Sequence, residues 1–474
     1  MADSLYPNEA DRISPASPRL RKFIITLAVI LVIASIFKSL DLYREIFDLQ
    51  LYDQQFMFPM IGVALLLVFI HIPFNYGKRA GPVPWYDWLA GSLGLVACLY
   101  LSLEYPRLAD IVVYQPIDAV ICATIILFLA AEGLRRTVGV TLLAVLVAFI
   151  LFGVAGQYVP GPLVGQKIEF GDLVTYLTFD TNALMGLPTR IVTTIVVAFL
   201  LMASLMQRSG AGEFLNDVAT ALMGRYRGGS AKIAITASSL FGSVSGVAVS
   251  NIVATGVVTI PLMKRAGFSP RLAAAVEAVA STGGQLMPPV MGAVAFLMAD
   301  FLELPYRDIV IAALVPSLLY YVALFIQADL EAARGGISRV EESRIPALWD
   351  VLGSGWLFIL PFVGLIYALF WLNWRAETSA MLASAIVLVV GFAVGYKGKR
   401  MKLIDVWDSL IATGVSILDI LMIVAGAGFI IGILGVTGLG FAFTFLIVEF
   451  GGGNLFVLLL ISAVMCIILG MGMP

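Results

Sequence analysis

Two clusters of small, hydroxyl-bearing and amide residues are where this 474-residue sequence could do chemistry. The first, Gly242-Ser-Val-Ser-Gly-Val-Ala-Val-Ser-Asn251, carries Ser243, Ser245, Ser250 and Asn251 around Gly246. The second carries Ser281, Thr282, Gly283 and Gly284 and runs into Pro288 and Pro289. Hydroxyl and amide oxygens can hold a hard cation such as Na+ or donate to a carboxylate, and glycine lets a ligand come close to the backbone. The two prolines remove backbone donors and stop a helix. A helix broken inside a membrane offers free N–H groups to an anion and free carbonyls to a cation. The other reading of small residues in membrane helices is tight packing alone, but the two clusters taken together favour a binding site.

Other chemistries find no support. Cys98, Cys122 and Cys466 lie inside apolar runs without paired spacing, so neither a disulfide framework nor a zinc site is expected. The single histidine, His71, sits at the end of an apolar run and reads as a boundary residue. An intramembrane enzyme needs a convergent nucleophile or an acid-base pair. Here Ser and Gly abound without a convergent His or a paired Asp, so no enzyme and no cofactor are expected. No Gly-x-x-x-x-Gly-Lys-Ser/Thr pattern occurs, so energy must come from an ion gradient or a partner. Among ionisable residues, Glu277 is equally consistent with pairing to an interfacial base and with a proton or ion role, whereas Asp300 and Asp419 read as helix-boundary residues.

The elements that must position these clusters are membrane helices. The chain is 60% hydrophobic and 13% charged, with a mean hydropathy of +0.99, and soluble domains carry roughly 25% charged residues. The bilayer is its solvent. Net charge is −2 with no basic stripe, which excludes nucleic acid as a partner. Apolar segments near 20–37, 56–74, 86–103 and 117–133 alternate basic and acid-rich flanks, giving a four-span unit over 1–135 with both ends cytoplasmic. The first span lacks a cleavage site and reads as retained. Further spans run to about Tyr158 and from about Ile191 to Met206. Residues 209–228 mix apolar and charged positions at helical spacing, as a helix lying in the interface does. Residues 136–350 and 351–474 then form two further regions.

Between Lys232 and Lys264 there are 31 residues without a charge. One helix of that length would reach about 46 Å, beyond the roughly 30 Å hydrocarbon core, while two spans need about 40 residues. Both flanks are basic and therefore cytoplasmic. A re-entrant hairpin with its tip at 242–251 satisfies length and charge together, because non-helical backbone is tolerated at membrane depth only when covered by protein or lining a cavity. A second uncharged run lies between Asp419 and Glu449, centred on 432–440, with an additional crossing expected near 405–424. Each hairpin is followed by the same pattern, G-x-x-M-P, at Gly284–Pro288 and Gly470–Pro474. This is the plan of an all-α, multi-span transporter with inverted repeats, re-entrant hairpins and broken helices. A chain that stops inside the second break reads as a fragment.

Several stretches carry a family resemblance: Gly228-Gly-Ser-Ala-Lys232, Phe241-Gly-Ser-Val-Ser-Gly246, Ile260-Pro-Leu-Met-Lys264, Glu277-Ala-Val-Ala-Ser-Thr-Gly-Gly284 and Met287-Pro-Pro-Val-Met-Gly-Ala293. Glu132–Gly139, Tyr320-Tyr321 and Thr437-Gly-Leu-Gly440 add to them. Together they resemble fused tripartite ATP-independent periplasmic (TRAP) permeases of the type paired with TAXI-class binding proteins, the first four spans being similar to the small membrane subunit. The resemblance implies an elevator-type, Na+-coupled importer in the bacterial cytoplasmic membrane, receiving a small organic anion such as a dicarboxylate from an extracytoplasmic binding protein. It maps ion and substrate binding onto Ser243, Ser245, Gly246, Ser250, Asn251, Ser281, Thr282, Gly283, Gly284, Pro288, Thr437, Gly438, Gly470 and Gly472, with Na+ near Ser245, Asn251 and Gly283. The alternative within transport is a Na+/dicarboxylate symporter that needs no binding protein. The hairpin reading predicts that cysteines placed at Lys232 and Lys264 react with an impermeant maleimide from the same, cytoplasmic, face. Labelling from opposite faces overturns it.

Overall fold

The computed structural model describes residues 17–74, 82–161 and 163–471, and positions 249, 344 and 468–471 by backbone only. Among these residues the fold is all helix, without a strand. Ten helices are long and apolar enough to cross a membrane, and in order they frame the rest. The first four spans are α1 (Pro18–Ser39), α3 (Asp53–His71), α4 (Trp85–Leu103) and α6 (Ile117–Thr137), with short α2 (Leu42–Phe47) and α5 (Tyr105–Ile111) between them. They are followed by α7 (Val140–Tyr158), the shorter α8 (Phe170–Phe179), and α9 (Leu187–Arg208), which contains a π-helical turn at Val192–Val196.

The described chain falls into two compact units, one of residues 32–42 and 194–413 and the other of 17–31, 43–193 and 414–471. In the second of these, α3, α4 and α6 pack together. Glycines let them close in: a Cβ on Gly62 would stand 2.8 Å from that of Cys98, and one on Gly91 would stand 3.0 Å from Leu66. Small residues at such seams replace the hydrophobic drive that lipid removes. At one end of this bundle Arg136 is buried with Asp87 at 2.8 Å, bonds Glu132 at 2.8 Å and lies over the Phe69 ring at 4.3 Å.

The other unit holds the expected hairpin. Its first helix after α9 is α10 (Ala211–Met223), at the position expected for an interfacial arm. Ala211, Phe214, Leu215 and Ala219 are buried along one stripe, while Glu213 and Asp217 lie on another face. Asp217 accepts from Tyr396 at 2.7 Å and from Lys397 at 2.6 Å, and Lys399 reaches Glu213 at 3.4 Å. Burial and the Asp217 hydrogen bond together raise the Tyr396 phenol above its ordinary pKa. Beyond α10 come α11 (Gly229–Ser245), α12 (Ala248–Ala266), α13 (Pro270–Thr282), α14 (Ala293–Phe301) and α15 (Tyr306–Arg334). The unit also includes α16 (Leu348–Phe370) and α17 (Ala376–Ala393). Helices α11 and α12 pack against one another across a two-residue tip, Gly246-Val247, and no helix joins them into a longer span. Lys232, near the root of α11, bonds Asp329 of α15 at 2.7 Å; Arg227 bonds the same carboxylate.

The chain departs from expectation after α17. The additional crossing near 405–424 and the incoming arm of the second hairpin are one continuous helix, α18 (Leu403–Val436), of 34 residues. At about 1.5 Å per residue it is about 51 Å long. No proline interrupts it, and its glycines serve packing instead of breaking it: a Cβ on Gly426 would lie 2.8 Å from Leu134, and one on Gly428 would lie 2.8 Å from the Ala183 carbonyl. Asp419 therefore stands mid-helix, not at a boundary. The turn at Thr437-Gly438, with Gly438 at φ +74°, falls where the second tip was expected and leads into α19 (Leu439–Gly451) and α20 (Leu455–Met471). Large apolar side chains of α19 such as Phe441 and Phe450 are exposed.

Phe214 is buried on the arm with its ring 5.8 Å from Tyr396 and 6.1 Å from Phe358. Phe214→Ala is expected to lower stability by about 3–5 kcal/mol, read as a drop in the unfolding temperature of detergent-solubilised protein.

Candidate functional site

The tip of the hairpin is seated on the broken helix. α13 begins at a Ser269 cap, whose hydroxyl accepts from Leu272 N, with Pro270 in the first turn. It ends at Thr282, passes through a 3-10 turn at Gly283–Gln285, and the chain regains helix only at Ala293. Pro288 and Pro289 lie inside this gap, joined by a cis peptide bond. The approach of tip and break is close because both are glycine there. A Cβ on Gly284 would stand 2.7 Å from the Gly242 Cα, and one on Gly246, at φ +60°, would overlap the Met291 carbonyl oxygen. Val290 N donates to the Ser243 carbonyl at 3.2 Å and Gly292 N to that of Gln285 at 2.8 Å.

Carbonyls in the last turn of α13 and in the gap are met by phenols. Tyr320 and Tyr321 of α15 donate to Val279 and Ala280 at 2.7 and 3.1 Å, and Tyr306 donates to Pro289 and Val290. The Tyr306 ring is stacked on Phe296, centroids 4.3 Å apart, and Phe296 on Phe199. Adjacent aromatic rings thus fix the position of the break.

Asn251 is the polar centre of the contact. Its Nδ2 donates to the Ser238 carbonyl at 2.8 Å and reaches that of Ser281 at 3.5 Å, tying both arms of the hairpin to α13. Its Oδ1 is buried without a hydrogen-bond partner, as is Ser245 Oγ, and Ser281 Oγ has no partner other than the Glu277 carboxylate one turn before it, toward which its hydroxyl is directed. Buried polar atoms are usually paired, so these oxygens leave acceptor capacity open at the hairpin tip and on α13 beside it. All are neutral hard donors, a set suited to Na+ and unlike the soft sites of transition metals. Among the described residues no group of three His, Cys, Asp or Glu stands together.

The sequence-derived residues distribute accordingly. Ser243, Ser245, Gly246, Asn251, Ser281, Gly283, Gly284 and Pro288 meet at the tip and break. The Ser243 hydroxyl turns back to the Leu240 carbonyl and that of Thr282, at the surface, to Ala278. Ser250 is half-buried on α12. Thr437 and Gly438 lie in the other unit, at the turn after α18, where the Thr437 hydroxyl bonds Ile433 at 2.6 Å. Gly470 falls in the last turn of α20, and Gly472 lies outside the described residues. The interfacial pairing considered for Glu277 is not what the structure has. Its carboxylate is buried and accepts from Thr255, Thr259 and Ser238. Thr255 and Thr259, four apart on one face of α12, are the functional-looking residues that sequence reading missed; their i,i+4 spacing opposite a lone intramembrane carboxylate was the available signal.

Residues 125–474 match the family described as Tripartite ATP-independent periplasmic transporter, DctM component. The Ectoine/5-hydroxyectoine TRAP transporter large permease protein UehC of Ruegeria pomeroyi is 29% identical over 279 residues, 57% of this chain and 61% of that protein. The C4-dicarboxylate TRAP transporter large permease protein DctM of Pseudomonas aeruginosa is 26% identical over 269 residues, 54% of this chain and 60% of that one. The Sialic acid TRAP transporter permease protein SiaT of Haemophilus influenzae is 25% identical over 248 residues, covering 52% and 38%. The chain spans about three fifths or less of the length of these relatives.

Gly242→Val must push the hairpin tip away from Gly284, and the expected cost is about 2–3 kcal/mol of stability. Gly353→Ala is the control: nothing lies within 4 Å of its added Cβ, and helix propensity favours it by up to about 1 kcal/mol. Thermal unfolding of the two variants beside the parent protein measures both.

Proposed function

We propose, on the premise that this chain belongs to the DctM family of tripartite ATP-independent periplasmic transporter components, that it imports a small organic anion with Na+. The protein is a multi-pass protein of the cytoplasmic membrane, with ten helices of spanning length among the described residues, and a transporter component, not an enzyme. The observation that carries the proposal is the tip-on-break contact with the buried, unpartnered Ser245 Oγ and Asn251 Oδ1 beside the Ser281 hydroxyl. Ser245 Oγ, Asn251 Oδ1 and Ser281 Oγ would hold Na+, with backbone carbonyls near Gly283. Bound there, Na+ would supply positive charge and the downhill gradient that drives uptake.

The residues of this chain have separate tasks in this reading. Gly242, Gly246 and Gly284 bring backbone to backbone, so that the cation site closes only when hairpin and broken helix are seated together. Asn251 ties the pieces through its amide N–H groups while presenting its oxygen to the ion. Tyr306, Tyr320 and Tyr321 satisfy carbonyls of the break and its preceding turn, leaving others to the ligand. The substrate carboxylate would use free N–H groups at the break, and the hairpin with α13 would travel as one body, elevator fashion. Residues 1–124 precede the family match and contain three spanning helices. With α6 they form the counterpart of a small membrane subunit fused to the large one. An extracytoplasmic binding protein of the TAXI class would deliver the solute. The named relatives are transporters of ectoine, C4-dicarboxylate and sialic acid, each of which bears a carboxylate, and this supports a small carboxylate-bearing solute and nothing narrower.

The test is uptake of labelled organic acids into proteoliposomes holding this protein, with and without an inward Na+ gradient and a TAXI-class binding protein. Uptake is expected only with both. Uptake indifferent to Na+ and to the binding protein overturns the proposal.

A further inference from the structure

Glu277 has no part in the reading above, yet its surroundings are incomplete. The residue is 1% exposed. Its carboxylate accepts from Thr255 Oγ1 and Thr259 Oγ1 at 2.5 Å and from Ser238 Oγ at 3.4 Å. No ion pair to it is found among the described residues. The charged and titratable groups on the packed elements are engaged elsewhere or stand at helix ends. Lys232 of α11 is on Asp329, Lys264 and Arg265 occupy the last turn of α12, and Arg271 the first turn of α13. The phenols of Tyr320 and Tyr321 on α15 donate to carbonyls. A buried, ionised carboxylate without a cation is strongly disfavoured in a membrane protein, and hydroxyls do not replace a counter-charge.

The missing charge has an adjacent place to sit. Ser281, four residues and one helical turn after Glu277 on α13, turns its hydroxyl toward the Glu277 carboxylate and keeps its oxygen lone pairs open. Asn251, with its free Oδ1, is one turn before Thr255 on α12, and the Thr255 hydroxyl oxygen lies 2.9 Å from the Asn251 carbonyl. One turn is about 5.4 Å. At that range inside protein, opposite charges interact far more strongly than in water. We infer that Glu277 is the counter-charge of the cation at the hairpin tip, a positioning residue one turn behind the coordinating oxygens and not itself a ligand. The inference rests on the cation reading proposed above. It adds that affinity for the ion comes from a carboxylate that bridges both hairpin arms to the broken helix, so that ion binding fastens the three together.

The test is the Na+-dependent rise in unfolding temperature of the purified full chain, NaCl against choline chloride, which reports ion binding without any solute. Glu277→Gln is expected to raise the half-saturating Na+ concentration about tenfold or more. Thr259→Val lowers stability but keeps the carboxylate, and is expected to hold that concentration within about threefold. A purely structural role for Glu277 would lower the unfolding temperature of both variants and leave both half-saturations at the parental value, which overturns the inference. Where Glu277→Gln is not recovered folded, Glu277→Asp and Glu277→Asn, equal in length and different in charge, replace it. A tenfold tighter response in the Asp variant supports the inference, and equal responses overturn it. A parent protein without any Na+ response removes the cation reading instead, an outcome distinct from a parent that responds beside a Glu277→Gln protein that responds identically.

Discussion

A peptide group inside a bilayer has no water to bond, so a chain can leave the helix there only where protein covers the gap. The hairpin tip and the broken helix cover one another. Their contact at Gly242 and Gly284 is backbone on backbone, and the rest of the unit is arranged to keep it: Asn251 bridges the three helices, two tyrosines of α15 occupy the last turn of α13, and Tyr306 holds the segment beyond the prolines. The stacked rings of Phe199, Phe296 and Tyr306 and the pairing of Lys232 with Asp329 fix the same helices farther from the tip.

Much of this was legible in the residues. Charge spacing between Lys232 and Lys264 is a length measurement, and length separates a hairpin from a span. Gly283 through Pro289 declare a break through donor loss and backbone freedom. The four N-terminal spans follow from apolar length and flanking charge, and their helices start and stop within a few residues of expectation. Which serine is free and which is occupied was not legible. Ser243 looks identical to Ser245 in a sequence, and only the rotamer and the neighbouring carbonyl distinguish them. Glu277 was equally opaque, because its partners are 18, 22 and 39 positions away.

The run beyond Asp419 shows where the argument from length breaks down. An uncharged stretch was read as an arm, a tip and a return, with a separate crossing before it. The structure joins the crossing and the arm into α18, because nothing in 403–436 removes a backbone donor. Glycine has two opposite meanings in such helices. At 426 and 428 it is a notch for Leu134 and the 183 backbone within a continuous helix, while at 438, at positive φ, it ends one. Composition is the same in both cases, and the approach of another segment decides between them.

The glycine contact also limits how this molecule can diversify. A junction made from two residues without side chains offers mutation nothing to adjust: every substitution at Gly242 or Gly284 adds atoms where none fit. On the proposed reading, preference among solutes is therefore set by residues other than those that form the junction.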